Sequence, residues 1–234
     1  MSYDNAELRS VDQITPTVKQ FQLELDGKKW DFEPGQHTVI KFEDENGEEV
    51  ERPYTPINLP NTEKFVLAIK KYDNGTASVW MHDRELGDEV EVEEPHGNLH
   101  IEDYDRDIVL ISTGTGATPM YAMLRDYLEN GNGDVYYFHG EKTQEHLIFQ
   151  ESLDQLEAEH ENLEVIYSLS DEDWSKRTGF IQEHIPEVLD SMDDKDFYIC
   201  GVPQMVVDTE DLLQDEGVEE DSIITEGWES DAAE

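Results

Sequence analysis

The spacing of hydrophobic and polar positions changes near residue 104 and divides the chain into two patterns. Before that point, short stretches alternate apolar with polar positions, and glycine-containing turn pairs separate them. Several short strands at this spacing are typical of a small antiparallel barrel, interrupted here by one helical piece at about 77–86. The predicted strands of this first part cover 18–25, 37–43, 65–72 and 89–95.

After residue 104 the chain alternates strands with helices, and 107–112 is a continuous apolar run of the buried parallel type. This alternation indicates a parallel sheet with helices on both faces. We therefore expect an antiparallel barrel domain over residues 1–102 and a doubly wound nucleotide-binding domain over 103–234. The further predicted strands are 134–140, 163–170, 196–201 and 222–228, and the predicted helices are 118–130, 145–160, 179–189 and 203–216.

The net charge of the chain is strongly negative and limits which partners it can bind. The chain has 234 residues, with 16 basic and 58 acidic side chains and a formal net charge of −42. Such a surface repels nucleic acid and anionic membranes. The acidic residues are spread along the whole chain, and their mutual repulsion is screened only in concentrated salt, where the Debye length falls to about 3 Å at 1 M. The composition therefore predicts a halophilic protein from a salt-rich cytoplasm.

The start of the chain supports a cytoplasmic location. Its first ten residues lack a basic start followed by an apolar stretch, so no signal peptide is predicted. No apolar run reaches the roughly 18 residues that a transmembrane helix needs. We expect neither a membrane nor a nucleic-acid partner.

A glycine turn, Gly114-Thr115-Gly116, follows the strand at 107–112, and a helix is predicted directly after it. Glycine lets a ligand approach the backbone closely, and the free N–H groups of a helix start attract a pyrophosphate. The third glycine of the dinucleotide fingerprint is missing, and Pro119 follows instead. A bare GxG is equally compatible with an ordinary turn between a strand and a helix.

A second glycine turn, Cys200-Gly201-Val202-Pro203, lies at the carboxyl end of the strand at 196–201. Two such turns in one doubly wound sheet indicate the crevice in which these sheets bind ligands. Cys200 is either a residue of this site or a plain buried cysteine. As the one cysteine of the sequence, it excludes an internal disulfide and a cysteine-ligated iron–sulfur cluster. The scattered histidines predict no metal site.

The barrel half contains two further candidate segments. In Arg52-Pro53-Tyr54-Thr55, the arginine could hold a phosphate, the ring could pack on a planar ligand and the hydroxyl could hydrogen-bond to it. The alternative is an edge strand with a surface arginine. In Gly75-Thr76-Ala77-Ser78, a helix start could bind a second phosphate, or its Ser or Thr could simply cap the helix.

These four segments, in this order and with these spacings, resemble the ferredoxin–NADP reductase family, and the similarity runs from about residue 5 to Trp228. The chain is most similar to the short ferredoxin or flavodoxin reductases of bacterial type. The resemblance implies a six-stranded FAD-binding barrel followed by a domain for NAD(P)H. It also implies the reaction, in which NAD(P)H gives a hydride to FAD and single electrons pass to an acidic ferredoxin or flavodoxin.

The resemblance assigns FAD to the barrel. It implies that Arg52 holds the pyrophosphate, that Tyr54 packs on the isoalloxazine and that Thr55 hydrogen-bonds the nitrogen that receives hydride. The backbone of Leu67 to Lys70 would line the flavin tail. Gly75, Thr76 and Ser78 at the helix start would bind the pyrophosphate. The expected FAD positions are Arg52, Pro53, Tyr54, Thr55, Leu67, Ala68, Ile69, Lys70, Gly75, Thr76, Ala77 and Ser78.

The same resemblance assigns the nicotinamide dinucleotide to the second domain, with Cys200 close to the nicotinamide ring. Glu226-Gly227-Trp228 resembles the C-terminal acid and aromatic pair of the family, in which the aromatic covers the flavin. Six residues follow Trp228 here, whereas the aromatic ends close relatives, so Trp228 could instead serve in C-terminal packing. Thr55, Cys200 and Glu226 are the expected catalytic residues. The expected dinucleotide positions are Gly114, Thr115, Gly116, Thr118, Pro119, Gly201, Pro203 and Met205.

Two alternatives for the function stay open at this point. The chain could be the reductase component of an oxygenase system, or a non-catalytic flavin-binding interaction subunit. The choice between NADH and NADPH depends on basic side chains near the third strand of the second domain. Leu169 and Phe180 stand where relatives carry arginines, although Lys142, Lys176 and Arg177 are nearby, so the sequence favours NADH.

Overall fold

The structure is a computed structural model that describes residues 2–227, and its strands form two six-stranded sheets. Every strand of the first sheet lies before residue 94, and every strand of the second lies after residue 106. The elements of the first sheet are β1 (Tyr3–Gln13), β2 (Val18–Leu25), β3 (Thr38–Glu43), β4 (Glu49–Tyr54), β5 (Lys64–Lys70), α1 (Thr76–His82) and β6 (Glu89–Glu93).

The first sheet is antiparallel, with strand order β4-β3-β6-β1-β2-β5. Alternate residues of β2 point inward, as its apolar and polar pattern predicts, and they pack with Trp30 and Phe65 in the barrel core. β4 and β5 are the two edges of the sheet. A bridge between Pro56 and Leu67 brings these edges together, and α1 contacts both β4 and β5. The predicted six-stranded antiparallel barrel is confirmed.

The second sheet is parallel, with strand order β10-β9-β8-β7-β11-β12. The predicted doubly wound domain is therefore confirmed. Its elements are β7 (Asp107–Thr113), α2 (Ala117–Asn130), β8 (Val135–Glu141), α3 (Gln150–Glu159), β9 (Leu163–Leu169), β10 (Arg177–Thr178), α4 (Ile185–Val188), β11 (Lys195–Gly201), α5 (Pro203–Asp215) and β12 (Ile223–Gly227).

Helices cover both faces of this sheet. On one face, Leu110 and Tyr137 pack against apolar residues of α2 and α3. On the other face, Val109, Ile111 and Phe138 pack against α4 and α5. The central strand β7 is buried on both sides, which explains why it reads as a continuous apolar run.

Two predicted helices are divided in the structure. The helix expected at 145–160 is a single 3₁₀ turn at Gln144–His146 followed by α3, and Phe149 between them has a φ of +63°. A left-handed aromatic residue ends helical geometry, and its ring instead stacks on Tyr121 with centroids 4.5 Å apart.

The helix expected at 179–189 is likewise divided. The structure has the short strand β10, a 3₁₀ turn at Ile181–His184 and the four-residue helix α4. In the barrel, the predicted helical piece at 77–86 ends at His82. Strand β1 has no counterpart in the predicted strands because only Ala6 and Leu8 of its eleven residues are buried, which leaves little alternation to detect.

The barrel packs against the second domain through a small apolar cluster, here called the interdomain cluster, formed by Val18, Ala68, Ala117 and Ile148. Arg125 of α2 adds a hydrogen bond from its guanidinium to the carbonyl oxygen of Ile57, at 3.3 Å. Within residues 2–227, no helix has the length and apolar character needed to cross a bilayer.

Candidate functional site

The two edges of the barrel meet beside Thr55, which directly precedes the bridge between Pro56 and Leu67. Thr55 is 2% exposed, and its hydroxyl makes no hydrogen bond to any other described residue. A buried polar atom normally has a partner, because leaving it unpaired costs about 1–3 kcal/mol. The orphaned hydroxyl therefore fits a bound group that would supply the missing hydrogen bond.

Arg52 and Tyr54 precede Thr55 on edge strand β4, so the edge-strand interpretation of this segment describes the backbone correctly. Tyr54 is half-buried; burial raises the pKa of its phenol, and the nearby Arg52 guanidinium opposes that shift. Arg52 donates to the carbonyl oxygen of Glu51 at 2.8 Å and forms no ion pair with the other residues that the structure describes. Its positive charge is therefore available to an anionic ligand.

Strand β5 lies between this segment and the second domain. Leu67 and Ile69 point into the barrel core, whereas Ala68 points outward into the interdomain cluster. The Gly114–Gly116 turn of the second domain contacts β5 as well. The predicted FAD segment Leu67–Lys70 and the first glycine turn are therefore neighbours in space.

The start of α1 has no side-chain cap, so the interpretation of its Ser or Thr as a helix cap is not what the structure has. Its N-cap residue is Gly75, and Ser78 is buried, with its hydroxyl accepting the Tyr72 N–H at 3.2 Å. A side chain on Gly75 would overlap the Ser78 hydroxyl oxygen. Thr76 is exposed, and Ala77 is buried in the barrel core.

The other end of α1 is fixed to the barrel by His82. The ring Nε2 of His82 donates to the carbonyl oxygen of Ile69 at 2.8 Å, and Lys19 donates to the His82 carbonyl at 3.1 Å. Burial lowers the pKa of His82, which keeps the ring neutral. The helix α1 as a whole lies beside both edge strands.

The first glycine turn forms a tight 3₁₀ turn between β7 and α2. Gly114 has a φ of +56°, in the region that favours glycine. A Cβ on Gly116 would overlap the carbonyl oxygen of Cys200, so the two glycine turns touch each other through backbone. Thr118 and Pro119 begin α2 in buried positions, and the Thr118 hydroxyl donates to the Thr115 carbonyl at 2.9 Å.

The second glycine turn is hydrogen-bonded to strand β7 through Thr113, a residue that the sequence motifs did not reveal. The Thr113 hydroxyl accepts the Val202 N–H at 3.0 Å, and a Cβ on Gly201 would overlap the same hydroxyl. Pro203 is exposed at the first position of α5, and Met205 is buried below it. The structure thus brings both predicted dinucleotide turns to one carboxyl edge of the sheet.

Cys200 is fully buried and its side chain packs in the apolar cluster under α2. It pairs in register with Ser112 on one side and with Glu226 on the other. Its packing agrees with the alternative of a buried core cysteine, and a role beside the nicotinamide stays a prediction.

Glu226 is joined across the domain boundary to His37, which the motif analysis also missed. His37 Nδ1 and Glu226 Oε1 are 3.1 Å apart, and both side chains are about one-fifth exposed. The other carboxylate oxygen, Oε2, is buried and has no hydrogen-bond partner within residues 2–227. Trp228, predicted to cover the flavin, lies outside the described residues.

Besides His82, a second histidine is buried, in strand β8 of the parallel sheet. His139, at the carboxyl end of β8, is fully buried, and its Nδ1 is 2.9 Å from the Ser112 hydroxyl oxygen. Burial lowers the pKa of His139 to about 4, whereas the contact with Ser112 opposes this shift. The ring is therefore neutral near pH 7, and no other described residue hydrogen-bonds its Nε2.

The region expected to select between NADH and NADPH is formed by the ends of β9 and β10. The Lys176 ammonium lies over the rings of Tyr167 and Trp174, at 4.7 and 5.4 Å from their centroids. The Lys142 carbonyl accepts the Asp171 N–H at 3.0 Å. Phe180 is 62% exposed at the same edge. One of the three candidate cations is thus engaged by aromatic rings.

In the part of the chain that the structure describes, no three His, Cys, Asp or Glu side chains come together as a metal site. The orphaned Thr55 hydroxyl, the uncapped start of α1 and the paired glycine turns fit organic phosphate-bearing cofactors at the junction of the two sheets.

Two family models match the chain, one to each sheet. A model described as an oxidoreductase FAD-binding domain matches residues 5–101, and one described as an oxidoreductase NAD-binding domain matches residues 110–211. These matches assign FAD to the barrel and the nicotinamide dinucleotide to the parallel sheet.

Individual relatives span several electron-transfer proteins. NADH-cytochrome b5 reductase 1 of Dictyostelium discoideum is 31% identical over 82% of this chain and 69% of that protein. Ferredoxin–NADP reductase B of Sorangium cellulosum is 29% identical over 90% of this chain and 91% of that protein. The phenol hydroxylase P5 protein of Acinetobacter pittii is 26% identical over 97% of this chain but 66% of that protein. Other curated relatives are longer, and the chain spans 52% to 57% of their length.

The fold agrees with these relatives. The solved flavohaem-like FAD/NAD binding domain of nitric oxide dioxygenase from Vibrio cholerae matches with a TM-score of 0.88 and 25% identity, over 96% of this chain and 98% of that chain. With its barrel, its parallel sheet and both glycine turns accounted for, the chain belongs to the ferredoxin–NADP reductase family of FAD- and NAD(P)-binding oxidoreductases.

Proposed function

We propose that this protein is a ferredoxin or flavodoxin reductase, which takes a hydride from NAD(P)H and delivers single electrons to a small carrier protein. The observation that carries the proposal is the buried, unpartnered Thr55 hydroxyl, placed where the barrel edges lie beside the first glycine turn. Bound FAD supplies the redox chemistry, because a flavin accepts a hydride and releases electrons one at a time.

The residues of the barrel bind and orient. Arg52 contributes a charge-assisted hydrogen bond to the FAD pyrophosphate, and the uncapped N–H groups that follow Gly75 add to it. Tyr54 packs on the flavin ring, and Thr55 supplies a hydrogen bond at the reacting nitrogen. Together these residues would hold the flavin in one orientation at the junction of the two domains.

The residues of the second domain hold the nicotinamide dinucleotide. Backbone N–H groups of the two glycine turns would bind its phosphates, because the free N–H groups at a helix start attract a pyrophosphate. The packing of the two domains against each other would help to keep water away from the ring. The ferredoxin–NADP reductase of Sorangium cellulosum, which this chain matches over nearly its whole length, supports ferredoxin as the carrier.

The test begins with protein purified in molar KCl. The protein should be yellow, should contain one FAD per chain and should bleach when NADH or NADPH is added without oxygen. A yellow protein that neither nucleotide bleaches would indicate a non-catalytic flavin-binding subunit and would overturn the proposal.

The second stage distinguishes the acceptors. Ferredoxin, flavodoxin and cytochrome b5 are offered to the reduced protein at equal concentrations, and ferredoxin or flavodoxin should be reduced fastest. An oxygenase reductase is the alternative that the phenol hydroxylase relative supports, although this chain spans only 66% of that protein. Transfer confined to an oxygenase component, with none to either small carrier, would favour that alternative.

We also propose NADH as the preferred donor. Leu169 and Phe180 offer no cation to the extra phosphate of NADPH, and Lys176 is engaged by Tyr167 and Trp174. Stopped-flow reduction with each nucleotide measures the preference. A catalytic efficiency at least tenfold higher with NADPH, equivalent to about 1.4 kcal/mol, would contradict it.

The charge of −42 leads to a proposal about salt. We infer that the protein works in a saline cytoplasm with a carrier that is acidic as well, so that the two repel at low ionic strength. Carrier reduction should therefore rise as KCl increases from about 0.1 M to above 1 M, as screening shortens the Debye length about threefold. Bleaching by NAD(P)H in the same salt series separates docking from folding. A fall in carrier reduction at steady bleaching would mean that attractive charge pairs guide docking.

A further inference from the structure

One ionisable pair crosses the boundary between the two domains at the carboxyl edge of the parallel sheet. Glu226 of β12 contributes Oε1, and His37, just before β3 of the barrel, contributes Nδ1 at 3.1 Å. An ionised carboxylate only accepts hydrogen bonds, so His37 Nδ1 is the donor. Neither residue belongs to a glycine turn, yet the pair lies at the edge where both turns end.

The imidazole of His37 is held in place from the barrel side. Its N–H and carbonyl exchange hydrogen bonds with the backbone of His96, both at 2.9 Å, and the two rings are 4.8 Å apart. Gly97 lies against the same ring, since a Cβ there would come within 3.1 Å of Nδ1. The ring thus lies against His96 and Gly97 on the barrel side, with Nδ1 directed at Glu226.

The carboxylate of Glu226 has one oxygen engaged and one available. Oε2 is buried without a hydrogen-bond partner among the residues the structure describes. Glu226 pairs in register with Cys200, and the Cys200 carbonyl abuts Gly116 of the first turn. The available oxygen therefore belongs to the same edge as the dinucleotide turns. A buried carboxylate oxygen of this kind needs an N–H donor.

We propose that His37 is the positioning residue of Glu226: its Nδ1–H holds one carboxylate oxygen so that the other accepts an amide N–H of the bound nicotinamide dinucleotide. This inference rests on the proposed function, because it assigns the dinucleotide to that edge. A side chain of the FAD barrel thereby controls binding in the other domain. Loss of the donor should weaken dinucleotide binding without releasing FAD.

The test compares two substitutions of His37. His37→Phe keeps an aromatic ring beside His96 and removes the donor, and it should raise the dissociation constant for NAD⁺, measured by calorimetry, about tenfold. His37→Asn places an amide N–H near the position of Nδ1 and should restore most of the affinity. His160→Gln is the matched control, because His160 precedes β9 at the opposite end of the sheet, and its affinity should equal wild type.

A double-mutant cycle isolates the contact. The cost of His37→Phe should nearly vanish in a Glu226→Ala background, and the FAD content should be the same in all of the His37 variants. Equal costs in the two backgrounds, or unchanged NAD⁺ affinity in His37→Phe, would overturn the proposal. Wild-type protein that binds NAD⁺ but is not bleached by NADH would instead sink the proposed function, and the binding cycle would still decide the role of His37.

Discussion

The barrel and the parallel sheet build their parts of the site in opposite ways. In the parallel sheet, backbone meets backbone: Gly116 leaves no room for a side chain beside the Cys200 carbonyl, and Gly201 leaves none beside Thr113. In the barrel, side chains of the edge segment Arg52–Thr55 are presented instead: among the described residues, the Thr55 hydroxyl has no hydrogen-bond partner and the Arg52 guanidinium forms no ion pair. The dinucleotide half of the site is therefore built from closely packed backbone. The FAD half is built from side chains that the barrel holds in place.

This difference separates two kinds of mutational effect. Changes in the glycine turns should disturb folding and dinucleotide binding together, because close-packed backbone cannot yield. Changes in the barrel segment should alter FAD or the reaction and leave the fold intact. Substitutions of Gly116, Arg52 and Thr55 test the two sides of this contrast.

The largest effect is expected for Gly116→Ala. The new Cβ would overlap the Cys200 carbonyl oxygen, so β11 or the start of α2 must shift, at a cost of about 3 kcal/mol. For a chain of this size that corresponds to a fall in Tm of roughly 6–12 °C. Calorimetric unfolding in molar KCl measures it.

Gly47→Asn is the control for that experiment. Gly47 also has a positive φ, but a Cβ there meets nothing within 4 Å, and asparagine tolerates this conformation. Its Tm should change little. A Gly116→Ala protein as stable as Gly47→Asn would contradict the view that the turns are built by backbone packing.

Arg52→Ala should weaken FAD binding by about 2 kcal/mol, or roughly thirtyfold, because a charge-assisted hydrogen bond to pyrophosphate is lost. The flavin retained after gel filtration measures it, and the Tm of the protein without FAD should not change. Arg9→Ala is the control, since Arg9 is an exposed barrel arginine that pairs with Glu7 and Glu24. Full flavin content in Arg52→Ala would remove Arg52 from the site.

Acid should destabilise the parallel sheet through His139. Its folded pKa of about 4 lies below the value of roughly 6.5 expected in the unfolded chain. The unfolded state therefore gains a proton first, and stability is lost as pH falls from 6.5 toward 4. Between pH 6.5 and 5 this histidine should remove about 2 kcal/mol.

Urea unfolding at both pH values, in wild type and His139→Asn, isolates this contribution. The loss of unfolding free energy on acidification should be smaller in the variant, because asparagine cannot bind the proton. An equal pH dependence in the two proteins would show that the burial of His139 does not govern acid stability.

The smallest effect is expected for Thr55→Ala, which should retain FAD but slow its reduction by NADH about tenfold, because positioning at the reacting nitrogen suffers. The protein without FAD should be as stable as wild type or more so, since an unpaired buried hydroxyl is removed. Stopped-flow bleaching is the measurement. A wild-type rate would reject the role assigned to Thr55.

The sequence predicts what local spacing encodes. The alternation in β2 and the continuous apolar run of β7 reflect burial on one face and on two faces, so these strands were predicted to within a residue. The left-handed backbone of Phe149 could not be predicted, because the residue packs against Tyr121, which is distant in sequence, and no local pattern marks it. Strand β1 buries only Ala6 and Leu8 fully, which leaves little alternation to detect.

The residues of the site likewise divide into those that a local motif reveals and those that depend on distant partners. Glycine turns and the segment Arg52–Thr55 carry their chemistry in consecutive residues, so a motif reveals them. Thr113 and His37 act through partners 89 and 189 positions away in the chain. No local spacing encodes such pairs. The Gln36-His37 dipeptide after a Pro-Gly turn was visible, but nothing in it indicated a carboxylate partner.

The interdomain cluster limits how far the two halves can be treated as exchangeable modules. Ala68 faces Ala117, the first residue of the helix that begins at the dinucleotide turn, and Ile148 completes the contact. A chimera that joins this barrel to the NAD-binding domain of a relative would keep Ala68 and would need a small residue at the position of Ala117. A larger side chain at either one would push β5 away from the Gly114–Gly116 turn. The relatives that can supply the NAD-binding domain of such a chimera are therefore limited by a contact between two alanines, neither of which is an expected catalytic residue.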